Sequence, residues 1–315
     1  GEELQICTAS KTCCTQKMED RYRDAVKKDF QGVLQATSSY LKNLISTNAA
    51  RYQDQFIEMV RVSENNTNLL FADVYKNMAI LAKVPIGKLY QDLVAYIQGR
   101  EVEIEDSVSS FFDNLFPLVF HHTINPKLKD FSEEYKECLQ EIQQEISPFG
   151  EIPRKMSLHL TKSFQAARSF LQALNLGMEV INTTDHIEMS MECTHALMKL
   201  TYCPHCQGMV NVKPCNGYCM NVVRGCLASV AEVDQPWNDY ISALDRLAVG
   251  MKGVFNIEEV LSVLDGRISE AIMYAMEHGP QLSKKVKRAC GHPKRATRET
   301  AQPPFLEPST RASAI

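Results

Sequence analysis

Sulfur decides what this chain can fold into. Five of its eleven cysteines, Cys203, Cys206, Cys215, Cys219 and Cys226, lie within Tyr202–Leu227 (YCPHCQGMVNVKPCNGYCMNVVRGCL), and Cys193 stands just upstream. Three chemistries use such a cluster. Cys203-Pro204-His205-Cys206 has the C-x-x-C spacing at which one thiolate attacks and its neighbour resolves the mixed disulfide. The C-x2-C pair followed by C-x3-C gathers four sulfurs suited to a tetrahedral zinc ion. A structural disulfide framework suits a chain that folds in an oxidising compartment.

The flanking residues separate these readings. A redox C-x-x-C follows a strand and opens the helix of a βαβ unit. Here Cys193–Leu200 reads as helix, with Ala196, Leu197 and Leu200 on one side. Zinc would leave Cys7, Cys13, Cys14, Cys138 and Cys290 without a role. The disulfide framework gives most of them one, although spacing alone does not choose its connectivity.

The same window resembles the signature of the glypican family. The pattern C-x2-C-x-G-(aliphatic)-x4-P-C-x2-Y-C-x2-(aliphatic)-x2-G-C is filled by Cys203, Cys206, Gly208, Met209, Pro214, Cys215, Tyr218, Cys219, Val222, Gly225 and Cys226. The likeness extends outward to Ile6-Cys7, Thr12-Cys13-Cys14 and Met18-Glu19, and to Ser147-Pro148-Phe149-Gly150 with Pro153. Phe170–Leu174 and Asn182-Thr183-Thr184-Asp185 are most similar to the branch of vertebrate glypicans three and five. The resemblance implies four bridges: Cys7 with Cys203, Cys14 with Cys206, Cys193 with Cys226, and Cys138 with Cys290. It leaves Cys13 for a cysteine upstream of this chain, and Cys215 and Cys219 for cysteines downstream. The odd count of eleven and a start at Gly1 without a signal peptide are therefore read as marks of a trimmed piece.

Composition fits a soluble globular protein, with 44% hydrophobic and 23% charged residues. The net charge of -4 gives no reason to expect nucleic acid or heparin as the main ligand. No apolar run is long enough to span a bilayer. Apolar residues recur at helical spacing along nearly the whole chain, without period-two runs or hairpin turns. The expected fold is all-α, an elongated bundle of long helices stapled by disulfides. Residues 1–298 are expected to form one core, with a cysteine-rich lobe built from 1–50 and 190–235. The Pro-, Ser- and Thr-rich tail 299–315 is expected to be disordered.

In chain order, Lys17–Ile45 predicts one amphipathic helix whose inward stripe includes Val33, Leu41 and Leu44. Tyr52 opens a second that continues to Leu81, and Pro85 separates it from a third that stops at Gly99. The aromatic helix bearing Phe111, Phe112 and Phe116 reads as core, and Pro117 should kink or shorten it. His121 and His122 read as surface residues in the turn before Asn125-Pro126, not as metal ligands. Glu133–Ile146 predicts a helix holding Cys138, and Pro153 starts another with Gly177 as its C-cap. Trp237–Met251 and Ile257–Met276 predict two more. N-glycosylation sequons stand at Asn65 on a helix and at Asn182 in a polar connection, the second being favoured for occupancy. A basic run from Lys284 to Arg298 ends in Arg295-Ala-Thr-Arg298, which resembles the convertase cleavage point of some glypicans.

No nucleophile elbow, phosphate loop, H-E-x-x-H or dinucleotide turn occurs, so the expectation is a non-enzyme with no cofactor and no metal. The resemblance implies the core protein of a heparan sulfate proteoglycan at the outer face of the plasma membrane, held by a GPI anchor lying outside this chain, or secreted. It implies a co-receptor or modulator of Wnt, Hedgehog, fibroblast growth factor and bone morphogenetic protein signalling, with those ligands and their receptors as partners. It also implies that a Wnt acyl chain could lodge between helices, for which a groove at Phe111, Phe112 and Phe116 is the candidate here. The Ser-Gly dipeptide that carries glycan is absent from this stretch. The competing reading is a thiol-disulfide oxidoreductase acting through Cys203 and Cys206.

Overall fold

The computed structural model describes residues 3–10, 12–127 and 131–292. Those residues form twelve α-helices and no β-strand. They fall into two compact units. One gathers the described residues up to Val62, then Leu93–Val102 and His159–Ser262; the other gathers Ser63–Asp92, Glu103–Leu158 and the described residues from Val263 onward.

Helix α1 runs unbroken from Gln16 to Val74. The expected end near Ile45 is absent because Ser46–Arg51 contains neither glycine nor proline, and Ala49 and Ala50 favour helix. Its inward stripe is narrower than the periodicity suggests. Val26 is buried, but Val33, Leu41 and Leu44 are exposed. The break comes instead at Tyr75–Met78, and α2 spans Ala79–Ile97 with Pro85 inside it. Gly99, at φ +87°, ends that stretch where only a residue without a Cβ sits easily. Arg168 closes the end, donating to the Gly99 and Arg100 carbonyl oxygens at 3.1 and 3.0 Å while its guanidinium lies over the Tyr96 ring.

Helix α3 (Ile104–Val119) places Glu105 and Asp106 at its positive end, as the dipole favours. It is not shortened at Pro117. It passes directly into a π-turn at Phe120–Ile124, where the Asn125 N–H donates to the Phe120 carbonyl. Pro117 removes one donor from the ladder without ending the helix. His121 and His122 sit in that turn and are half-buried rather than superficial. Their rings are 4.3 Å apart, and His121 lies 4.7 Å from Phe131. The next expected helix is two: α4 (Glu133–Glu141) and α5 (Gln143–Ile146), separated at Ile142.

Helix α6 (Ile152–Thr184) runs straight through Gly177, which is no cap. The glycine is there because Tyr240 lies against it. The Tyr240 hydroxyl donates to the Ala173 carbonyl at 2.7 Å, and a Cβ on Gly177 would stand 2.6 Å from that oxygen. Gly177→Ala should therefore destabilise the protein by about 1–2 kcal/mol, the gain in helix propensity being outweighed by overpacking. In a Tyr240→Phe background the same change should be close to neutral. A double-mutant cycle in urea measures the coupling, and additive effects would contradict it.

The remaining helices are α7 (Met191–Thr201), α8 (Asn216–Cys226), α9 (Asp234–Lys252), α10 (Ile257–Ser262), α11 (Leu264–Glu277) and α12 (Gly279–Cys290). In the second unit Phe111, Phe112, Phe116, Phe120, Phe131 and Phe149 form a buried aromatic core. Tyr90 is fully enclosed there, its hydroxyl bonded to Thr67 and Ser63 at 2.7 and 3.0 Å. Burial pushes that phenol far above its ordinary value, so it stays a neutral partner.

Candidate functional site

Four bridges hold the described chain. In the first unit Cys7 is bonded to Cys203, Cys14 to Cys206 and Cys193 to Cys226; in the second, Cys138 is bonded to Cys290. Cys13 and Cys215 are exposed free thiols, and Cys219 is a half-buried one.

Local sequence explains how the C-x-x-C presents its sulfurs. Ser190 caps α7, its hydroxyl accepting the Cys193 N–H at 3.1 Å, and the helix buries Cys193, Leu197, Met198 and Leu200. Pro204 then starts a 3-10 turn over Cys203–Gln207, and Gly208 ends it at φ +80°. That tight turn points both sulfurs at the N-terminal segment instead of at each other. The Cys13 N–H donates to the Cys206 carbonyl at 3.0 Å, and Cys206 is only 2% exposed. The oxidoreductase reading fails on this geometry. The motif comes after a helix, its sulfurs are bonded to Cys7 and Cys14, and neither is an exposed nucleophile with a resolving partner.

Glu19 completes the lobe, and nothing in the sequence marks it beyond a matched family position. It is 1% exposed. Its carboxylate accepts the backbone N–H groups of Gln5, Ile6 and Cys7 at 2.8, 2.6 and 2.7 Å, folding the segment before α1 against the start of that helix. Burial alone would raise its pKa; the three amide donors, helped by Arg23, outweigh it and hold the carboxyl below the ordinary range. Tyr202 stacks on Tyr22 with ring centroids 4.9 Å apart, and its hydroxyl donates to Asp29. That hydrogen bond, with burial, pushes the phenol up to about 12. A second buried carboxylate, Asp185, accepts from Ser38 and Lys42, both at 2.6 Å. Burial raises its pKa, but these two donors prevail and lower it.

Phe111, Phe112 and Phe116 do not line an open groove together. They are 2%, 0% and 0% exposed, packed in the aromatic core. Of the three, only Phe112 reaches a cavity of about 490 Å³ in the second unit, whose lining also includes Val108, Pro153, Leu158, Glu105, Glu151, Arg154 and Lys155. Asn65 is exposed on α1, although its sequon threonine, Thr67, is fully buried against Tyr90. Asn182 is exposed in the last turn of α6, not in a connection. Arg295, Arg298 and the tail 299–315 lie outside the described residues. No helix among the described residues is long and apolar enough to cross a membrane.

Comparison with known proteins matches this arrangement. The glypican family model aligns with residues 1–313. Glypican-5 of Mus musculus is 45% identical over 306 residues, covering 97% of this chain and 54% of its own length. The chain thus spans about half the length of that relative. The solved full-length glypican-1 core protein superposes with a TM-score of 0.83 at 30% identity, over 96% of this chain and 71% of the other. The Dally-like protein solved in complex with O-palmitoleoyl serine gives a TM-score of 0.72 at 30% identity, over 92% of this chain and 69% of the other. An all-helical fold with four bridges, matched from Gly1 nearly to the last residue, settles the family: the chain belongs to the glypicans.

Proposed function

We propose that this chain is part of the core protein of a cell-surface heparan sulfate proteoglycan, acting outside the cell as a co-receptor or modulator for secreted signalling proteins. Wnt, Hedgehog, fibroblast growth factor and bone morphogenetic protein ligands are the partners this reading expects. The observation that carries it furthest is the likeness to the Dally-like protein in its complex with O-palmitoleoyl serine, a lipid-modified amino acid. The cavity beside Phe112 supports the same reading for this chain. Its apolar lining of Val108, Phe112, Pro153 and Leu158 suits an acyl chain, and its charged lining residues suit the polypeptide that bears one. Each methylene taken from water would contribute about 0.8 kcal/mol. An O-palmitoleoylated serine peptide should bind at least about tenfold more tightly than the same peptide without its acyl group. Leu158→Glu, at a half-exposed wall position, should abolish the difference. Equal affinity for acylated and bare peptide, measured by calorimetry, would refute the lipid-binding part of the reading.

The exposed sequons belong to the same extracellular assignment. Asn182 is the position on which we place a glycan, since Thr67 is locked in the core once the Asn65 sequon folds. On secretion from mammalian cells, Asn182→Gln should remove one N-glycanase-sensitive mass step and Asn65→Gln none. The reverse pattern would contradict this placement.

A further inference from the structure

Helix α12 turns a basic face to solvent. Leu282 and Val286 are buried and Cys290 is tied to Cys138, which fixes the rotation of the helix. On its other side Lys284, Lys285, Lys287 and Arg288 are all exposed. At 3.6 residues per turn, these four fill an arc of roughly 160° opposite the buried pair. None of them forms an ion pair among the described residues, whereas seven other lysines and arginines do. The bridged neighbour α4 exposes Glu134, Glu137 and Glu141, and among the described residues no ion pair joins them to α12. Lys287 and Arg288 stand in the last turn, where cations complement the helix dipole. Lys284 and Lys285 lie before that turn and have no such role. Like charges so spaced repel one another, a cost that a bound polyanion would relieve.

We propose that this face of α12 binds a sulfated polysaccharide of the heparan sulfate type. Charge complementarity points to a flexible, repeating polyanion. The choice of a glycan rests on the proteoglycan reading above, under which such chains hang from the same core protein and meet the stripe at high effective concentration. The net charge of -4 conceals the site because it averages over the whole chain.

The test offers the 315-residue chain to immobilised heparin oligosaccharides, with desulfated heparin and phosphatidylserine vesicles as comparison surfaces. Affinity for the sulfated probe should fall about fiftyfold between about 50 and about 200 mM salt if four charges are neutralised. The variant Lys284→Gln/Lys285→Gln/Lys287→Gln/Arg288→Gln should bind at least about tenfold more weakly, with a flatter salt dependence. The milder Lys284→Gln/Lys285→Gln should fall between. Lys27→Gln/Lys28→Gln, which removes two exposed cations from α1, should bind as the parent does. Peptide mapping of each variant checks that the Cys138–Cys290 bridge has formed. Absence of heparin binding, parental binding by the fourfold variant, an equal loss in the α1 variant, or equal binding to desulfated heparin or vesicles would each overturn the proposal. Whether the whole core protein carries glycan is read separately, by its loss of mass on heparan sulfate lyase digestion. A glycan-bearing core whose α12 ignores heparin refutes this inference and leaves the proteoglycan reading intact.

Discussion

Glu19→Gln should destabilise the first unit by about 2–4 kcal/mol, a large effect for one isosteric change. The amide keeps one carbonyl oxygen for the N–H groups of Ile6 and Cys7, which now share Oε1, but turns an NH2 group toward the Gln5 N–H that Oε2 accepts. Two donors then face each other in a site with almost no solvent access, and the charge assistance of all three bonds disappears. The pH dependence carries a definite sign. Because the folded carboxyl titrates below its ordinary value, its contribution is fully present above that value and is lost as pH falls through the lower folded one. Asp185, depressed in the same direction, adds to the acid lability. Urea unfolding across the acidic range should show the parent losing stability where the Glu19→Gln variant has less to lose. A variant as stable as the parent at neutral pH would contradict the clamp.

The second large effect concerns the paired bridges of the lobe, Cys7–Cys203 and Cys14–Cys206, whose partners are 196 and 192 residues apart. Loop-closure entropy makes their removal more than additive. With either bridge intact, the other closes only a short additional ring, worth about 3 kcal/mol. Losing both opens a loop of nearly two hundred residues as well, for about 8 kcal/mol in all. Replacing Cys7 and Cys203 by alanine, or Cys14 and Cys206, should therefore leave a folded protein of lower stability. The fourfold replacement should release the segment before α1 and unfold the lobe at ordinary temperature. Simple additivity of the two double variants would count against this account.

Helical periodicity was readable throughout because Val26, Phe112, Leu160 and Ile268 recur among buried neighbours at the spacing a helix requires. What escaped was set by residues far away in sequence. Gly177 reads as a cap by composition, yet its reason is Tyr240 on another helix. No local pattern marks Glu19, because it becomes a clamp only once Gln5–Cys7 folds back over it. The histidine pair reads as superficial because adjacent helical positions diverge, and a π-turn with Phe131 beside it brings the rings together. The lapse of large apolar residues after Ile45 looks like a helix end, but with no breaker present the helix simply continues. As for the lobe, C-x-x-C spacing is shared by redox, metal and structural sites. Pro204 and Gly208 make the choice among them, because they set a turn that aims each sulfur at a different partner.

Mass mapping of peptides from the folded, unreduced protein tests that last point most directly. The structure requires a peptide from the Cys203–Cys206 turn linked separately to Cys7 and to Cys14, with the thiols of Cys13, Cys215 and Cys219 open to alkylation in this chain. A Cys203–Cys206 bond, or alkylation of that pair before reduction, would contradict it.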